Sequence, residues 1–134
     1  MQLPPKSGLE QGGYLSSRTI AALATAIGGP IAVVRVSGSE CPSILRHLTG
    51  RPEFEPRKVS LASLYGEGGE RLDEALVCFF RGPESFTGED SFELSLHGGE
   101  KVLQKVLDRL RALGAGQALP GEFSFRAVRN GKMT

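Results

Sequence analysis

The sequence predicts an α+β fold of two layers, in which a mixed, mainly antiparallel sheet carries helices packed on one side. Three observations predict it. Short segments with the apolar or alternating patterns of strands recur along the chain, and amphipathic helical segments are interleaved with them. A Gly-rich turn at Gly66–Glu70 also joins two strand-like segments as an antiparallel hairpin. The 134 residues are enough for one domain with one core.

The chain starts with a lead-in that is rich in Pro, Gly and polar residues. We predict that residues 1–17 are flexible and that residues 18–134 form a single domain. Strands are predicted over Arg18–Thr25 and Ile31–Ser37, because both segments are largely apolar and the Gly28–Pro30 turn separates them.

The middle of the chain combines a helix with the hairpin. The helix is predicted over Ser39–Leu48, with Ser39 as its N-cap and Gly50 as its end. The hairpin strands are predicted over Lys58–Tyr65 and Leu72–Phe80. The second of these strands has apolar residues on both sides, so we expect it to be central and covered on both faces.

The last third of the chain has the clearest periodicities. The segment Ser91–His97 alternates strictly, with Phe92, Leu94 and Leu96 on one side and Ser91, Glu93, Ser95 and His97 on the other. Glu100–Leu113 repeats apolar residues at helical spacing and is followed by a glycine, so it predicts an amphipathic helix. A short strand at Ala115–Leu119 and a terminal helix within Pro120–Lys132 complete the prediction.

Composition limits the possible functions. Sixteen Lys and Arg residues stand against fifteen Asp and Glu residues, and the net charge of +1 is too small to drive strong nonspecific binding of nucleic acid. Cys41 and Cys78 stand in unlike contexts, which favours reduced thiols in the cytosol over a disulfide framework. The sequence has no apolar segment of membrane-spanning length, so we expect a cytoplasmic protein without a membrane partner.

Several catalytic signatures do not occur in the sequence. There is no GxxxxGK[ST] phosphate loop, no GxGxxG, no HExxH, no CxxC pair and no GxSxG elbow. We therefore expect that this chain alone neither hydrolyses a nucleotide nor holds a catalytic metal.

Two charged residues stand where the predicted strands favour apolar or neutral ones. Arg35 interrupts an apolar strand, and a guanidinium there needs a carboxylate, a carbonyl or a ligand. Glu93 lies on the polar face of its strand, where its two oxygens match two parallel N–H donors of a heterocycle. Two interpretations are open: the two side chains form an internal salt bridge, or they bind a ligand.

His97 and Lys132 are further candidates. His97 shares the predicted face of Glu93 and precedes two glycines, whose amides can approach an anion at the start of the next helix. The alternative is a tight turn with a hydrogen-bonded His. Lys132 closes the predicted terminal helix, where it either reaches an anionic or carbonyl group or is simply solvated.

Three groups of motifs occur in order between Arg18 and Lys132. They are Thr19–Thr25 with Val33–Gly38; Ser85–Asp90 with Phe92–Leu94 and His97–Gly99; and Pro120–Ser124 with Arg126–Ala127 and Asn130–Lys132. Together, and with near-family spacing, they resemble the N-terminal domain of the bacterial tRNA-modification GTPases called MnmE or TrmE. The middle group is the most specific.

The resemblance implies a fold like the folate-binding domain of aminomethyltransferases, binding of 5-formyl-tetrahydrofolate and homodimerisation. Arg35, Glu93 and Lys132 match the family's folate-contacting positions, and His97 is a fourth candidate. In the complete proteins, folate supplies the carbon that is attached to C5 of the wobble uridine of tRNA, together with a flavin-dependent partner protein. GTP, Mg²⁺ and K⁺ are ligands of the full-length proteins only.

This sequence also departs from the family. Ala26–Pro30 is shorter than the family's Pro-Pro-Gly-Arg-Gly-Gly loop and lacks its arginine, and Phe125 stands where Glu is common. The family continues beyond Lys132 into a helical domain with an inserted GTPase domain. We therefore expect this chain to be the N-terminal domain alone, either isolated or naturally truncated.

Two other functions compete with this interpretation. One is an interaction module that dimerises without binding folate, because the altered loop has removed the pocket. The other is an RNA-contacting domain that uses Arg126, Arg129 and Lys132 as a basic stripe, which the near-neutral charge and the lack of aromatic platforms disfavour.

Overall fold

The computed structural model describes residues 17–26 and 28–133, so the predicted lead-in lies outside the described residues except for Ser17. The strands are β1 (Ile20–Leu23), β2 (Ala32–Ser37), β3 (Val59–Tyr65), β4 (Arg71–Phe80), β5 (Ser91–Leu96) and β6 (Gly116–Gln117). The helices are α1 (Cys41–Thr49), α2 (Gly99–Ala112) and α3 (Glu122–Arg129).

The strands form one six-stranded sheet in the order β3-β4-β5-β2-β1-β6. Neighbouring strands are antiparallel except for β1 and β6, which are parallel. The predicted fold class, α+β with a mixed and mainly antiparallel sheet, is confirmed. Each observed strand keeps the place in the chain that the sequence predicts, although β1 and β6 are shorter than predicted.

The core lies between one face of the sheet and helices α1 and α2. Alternation along β5 places its apolar residues in this core, as predicted, and the helical spacing of α2 does the same for its apolar face. Buried contributors include Phe92, Leu94 and Leu96 from β5, Ile44, Leu45 and Leu48 from α1, and Leu103, Val106 and Leu110 from α2. The side chains that alternate with the core residues along each strand stand on the opposite face.

Strand β4 is covered on one face only, so the prediction that it is covered on both faces is wrong. Ala75, Val77 and Phe79 are buried in the core. The alternate residue Leu76 is 41% exposed, and its partner Leu61 on β3 is 57% exposed. Because α1 and α2 pack on the core face, the opposite face is open at β3 and β4.

Helix α1 starts two residues later than the sequence predicts. Glu40 occupies the N-cap position and makes no side-chain cap, so the predicted cap at Ser39 is wrong. The reason is a tertiary contact, because the backbone N–H of Glu40 donates to the Thr19 hydroxyl at 3.0 Å. The predicted end is confirmed, since Gly50 has a φ of 74° and closes the helix.

Helix α3 ends at Arg129, and Lys132 lies in the turn beyond it. The prediction that Lys132 closes the helix is therefore wrong. The backbone N–H of Lys132 donates to the carbonyl of Ala127 at 2.7 Å, which fixes this turn. Of the helices in the described residues, none combines the length and apolar character needed to cross a membrane.

The side chain of Arg126 ties α3 to the rest of the fold. It is fully buried, and its Nη2 donates to the carbonyl of Arg18 at 2.7 Å and to the carboxylate of Glu122 at 3.0 Å. Its Nη1 donates to the carboxylate of Glu89 at 3.0 Å. Asn130 adds a bond from its amide to the carbonyl of Thr87 at 2.7 Å. These bonds hold α3 against β1 and against the loop of residues 81–90.

Replacing Arg126 should therefore cost more stability than replacing its neighbour Arg129. Arg126→Met removes the cation that lies 3.0 Å from the buried carboxylate of Glu122 and leaves it only the more distant Arg18, at 3.8 Å, so we expect the free energy of unfolding to fall by about 3–5 kcal/mol. Arg129→Met removes a partly exposed contact to Glu89 at 3.6 Å and a distant contact of the guanidinium with the Phe125 ring at 5.9 Å, and it should cost about 1 kcal/mol or less. Urea unfolding of both variants at 25 °C measures the difference. Equal losses in the two variants would contradict the assigned role of Arg126.

Candidate functional site

A small cavity of about 90 Å³ lies on the face of the sheet opposite the core. Three phenyl rings form its apolar walls: Phe80 at the end of β4, Phe86 in the loop of residues 81–90, and Phe123 in α3. The polar lining consists of Arg35, Ser37, Thr87, Ser91 and Glu93. Strands β2 and β5 supply the cavity's charged residues.

Arg35 and Glu93 meet because they are direct partners in the antiparallel register of β2 and β5. Arg35 Nε donates to Glu93 Oε2 at 2.9 Å, so the salt bridge of the first of the two open interpretations forms. The side chains remain 39% and 35% exposed, and both line the cavity. Within the described part of the chain, the second oxygen of Glu93 accepts no hydrogen bond. The pair is therefore both an ion pair and a charged, accessible edge of the cavity.

The loop wall of the cavity is fixed by a hydrogen-bond network. The Ser37 and Thr87 hydroxyls lie 2.6 Å apart, and Ser37 also donates to the carboxylate of Glu89 at 2.8 Å. Since Glu89 also binds Arg126, this wall is connected to the ion pairs that hold α3. The cavity therefore has a rigid floor in the sheet and a wall that depends on α3.

Lys132 lies beside the loop, whereas His97 lies away from the cavity. A methyl group placed on Gly88 would come within 3.4 Å of Lys132 Cγ, and Gly88 follows the cavity residue Thr87. His97 is exposed just beyond β5. It is four residues past Glu93, or about 13 Å along an extended strand. The structure thus brings three of the four candidates to one region and leaves His97 outside it.

The predicted basic stripe does not form as a surface. Arg126 is fully buried among carboxylates, so it cannot contact RNA, and that part of the prediction is wrong. Arg129 Nη2 also lies 3.6 Å from the carboxylate of Glu89 and pairs with it. Among the described residues, no group of three His, Cys, Asp or Glu side chains is arranged to hold a metal ion.

A wider groove of about 480 Å³ lies between β1, β6 and α2. Its rim carries Glu100 and Arg111, but Arg111 pairs with Asp108 at 3.0 Å and not with Glu100. The smaller cavity, with its ion pair and aromatic walls, is better suited to a planar polar molecule, because such sites combine apolar walls with a few placed polar groups.

Sequence reasoning found the charged edge of this cavity and missed its apolar walls. Arg35 and Glu93 stood out because charge is unusual at their strand positions. Phe80, Phe86 and Phe123 come from three separate segments, and nothing local in the sequence brings them together.

Both cysteines are free thiols with raised pKa values. Burial raises the pKa of Cys41 far above its usual range, and the carboxylates of Asp90 and Glu89 add to the effect. Burial also raises the pKa of Cys78, and the neighbouring Glu93 carboxylate adds to the shift. Cys78 is the register partner of Glu93 across β4 and β5.

Comparison with known proteins gives one consistent result. A family model described as GTP-binding protein TrmE N-terminus matches residues 19–132. The tRNA modification GTPase MnmE of Alkalilimnicola ehrlichii is 53% identical over 120 residues, which are 89% of this chain and 27% of that protein. The proteins of the same name from Psychrobacter arcticus (46% identical, 99% of this chain and 28% of that protein) and Campylobacter jejuni strain RM1221 (45%, 88% and 27%) are also similar. The chain thus spans little more than a quarter of these curated relatives.

The thiol of Cys78 should report on the charge of Glu93. Because the carboxylate raises the thiol pKa, Glu93→Gln should lower that pKa and speed alkylation of Cys78 by iodoacetamide at pH 8. Glu67→Gln, in the exposed β3–β4 turn, should leave the rate unchanged. Peptide mass spectrometry over time measures both rates. An unchanged or slower rate in Glu93→Gln would show that the carboxylate does not act on this thiol.

Proposed function

This chain belongs to the family described as GTP-binding protein TrmE N-terminus, and on that premise we propose that it binds 5-formyl-tetrahydrofolate. The observation that carries the proposal is the cavity in which the Arg35–Glu93 ion pair stands between three phenyl rings. In this proposal Arg35, Glu93 and Lys132 contact the ligand.

The lining residues fit a pterin ring. A carboxylate matches the adjacent amino and imino N–H groups of such a ring, and the guanidinium of Arg35 matches its carbonyl oxygen. The phenyl walls match its flat faces. The cavity of about 90 Å³ is smaller than a whole folate, so we assign it to an edge of the ring. Lys132, beside Gly88 at the loop, is the cation that we assign to the carboxylates of the ligand's tail.

The ligand, when bound, supplies a one-carbon unit at its reduced ring. The residues of this chain bind and orient the ligand, and the phenyl walls limit the access of water to it. We further propose that this one-carbon unit serves modification of C5 of the wobble uridine of tRNA in the cytoplasm, with a flavin-dependent partner protein. Hydrolysis of GTP is assigned to a part of the family's proteins outside this chain.

Binding of folate should depend on Glu93. Glu93→Gln keeps the shape of the side chain but loses the charge that strengthens hydrogen bonds to N–H donors, so we expect the Kd for 5-formyl-tetrahydrofolate to rise at least about ten-fold. Glu67→Gln removes the same charge from an exposed turn and should bind like the unchanged protein. Isothermal titration calorimetry measures both. One site per chain with equal affinity in all three proteins would place the ligand away from Glu93.

A second element of the proposal is homodimerisation through the open face of β3 and β4. Val59, Leu61 and Leu76 are exposed there. An exposed apolar patch of this kind is typical of a protein–protein interface. Val59 is the register partner of Cys78, and Cys78 is the register partner of Glu93. The patch therefore lies on the same face of the sheet as the cavity. The same observation favours the competing function, an interaction module that dimerises without binding folate.

Dimerisation should be sensitive to a charge on this face. Leu61→Glu places a carboxylate in the middle of the patch, so we expect the protein to shift from dimer to monomer. Val128→Glu alters an exposed apolar residue of α3 and should leave the dimer intact. Sedimentation velocity measures the mass of each. A dimer of Leu61→Glu with unchanged affinity would exclude this face. A dimer of the unchanged protein that binds no folate would favour the competing function.

A further inference from the structure

A second groove, on the helix side of the sheet, carries three arginines. It has a volume of about 320 Å³ and lies between α1, the segment that follows α1 and the end of β4. Arg46, Arg51 and Arg81 line it, and within the described residues none of the three forms an ion pair with a carboxylate. Glu53 is the acidic residue in the lining, so the groove keeps an excess of positive charge on a chain that is nearly neutral overall.

Two of these guanidinium groups are held against phenyl rings. Arg51 Cζ lies 4.4 Å from the ring centre of Phe54, and Arg81 Cζ lies 5.3 Å from that of Phe79. Arg51 Nη1 also donates to the carbonyl of Leu61 at 3.1 Å. Both rings are buried, so the surface presents the arginines and not the rings. Such positioning lowers the entropy that an arginine loses when it binds an anion.

We propose that this groove binds the phosphate backbone of an RNA strand. Guanidinium groups pair with phosphates through two parallel N–H bonds, and their planes also stack on bases. An acidic peptide offers carboxylates but no planar bases, so the held guanidinium planes favour RNA. The identity of that RNA as tRNA rests on the proposed function. The groove replaces the stripe at Arg126, Arg129 and Lys132 as the RNA-contacting surface of this chain.

The groove and the folate cavity lie on opposite sides of the sheet. Phe79 faces the core beside the groove, while the next residue, Phe80, faces the cavity. The sheet therefore separates the two sites within one chain. The groove acts as an anchor for the RNA backbone and does not hold a base next to the folate ring of the same chain.

The test measures binding of an unmodified tRNA transcript to the full chain by fluorescence anisotropy at several salt concentrations. The variant Arg46→Gln with Arg81→Gln removes two positive charges from the groove and leaves Arg51, with its backbone bond, in place. The control, Lys101→Gln with Lys105→Gln, removes two charges from exposed positions of α2. Thermal unfolding of each variant checks that both are folded.

We expect the groove variant to lose at least ten-fold in affinity for tRNA. The slope of log Kobs against log[salt] should become shallower by between about one and two, as for two lost phosphate contacts. The control should change less than about two-fold. Equal losses in both variants, or no binding of tRNA by the unchanged chain at low salt, would overturn the proposal. Competition by poly-glutamate as strong as that by tRNA would also overturn it, in favour of an acidic protein partner.

A folate titration of the groove variant separates this inference from the proposed function. Loss of tRNA binding with folate binding retained supports the inference. If the unchanged chain binds tRNA through the groove but binds no folate, the proposed function fails and the groove's affinity for RNA stands.

Discussion

The buried ion pairs of Arg126 are the constraint on which the candidate site depends. One guanidinium group binds a carboxylate of its own helix, a carboxylate of the loop of residues 81–90 and a backbone carbonyl next to β1. Taking a charge out of water is costly unless its partners are complete, so these elements assemble together. Phe123 belongs to the helix and Phe86 to the loop, which means that two walls of the cavity depend on this assembly.

Much of the fold follows from patterns that are local in the sequence. The alternation in β5 and the helical spacing in α2 each indicate burial on one side, and the structure confirms both elements with one face in the core. Strand β4 shows the limit of such patterns. Apolar residues on both of its sides indicate two faces that avoid water, but the sequence does not distinguish a face covered by helices from one that stays open, as the face with Leu76 does. The start of α1 was missed because a distant residue, Thr19, accepts the hydrogen bond of Glu40.

The candidate site was predictable only in part, for a related reason. Arg35 and Glu93 attract attention in the sequence because their charge is unusual at strand positions. Their pairing depends on the register of β2 and β5, and the sequence does not give that register. The phenyl walls depend on tertiary assembly alone. Arg126 looked like one member of a basic surface. Glu122 stands four residues before it on the same helix, but the sequence does not place the Glu89 carboxylate and the Arg18 carbonyl beside it, and its full burial depends on them as well.

In our proposal, folate binds on the face opposite the core, between the ion pair and the phenyl walls. Amide chemical-shift mapping of the ¹⁵N-labelled chain, titrated with 5-formyl-tetrahydrofolate, locates the bound ligand. We predict that the largest shifts fall at Phe80, in residues 81–90, at Glu93 and at Phe123, and that they saturate together. Shifts centred on the wider groove between β1, β6 and α2, or no shifts at millimolar ligand, would contradict it.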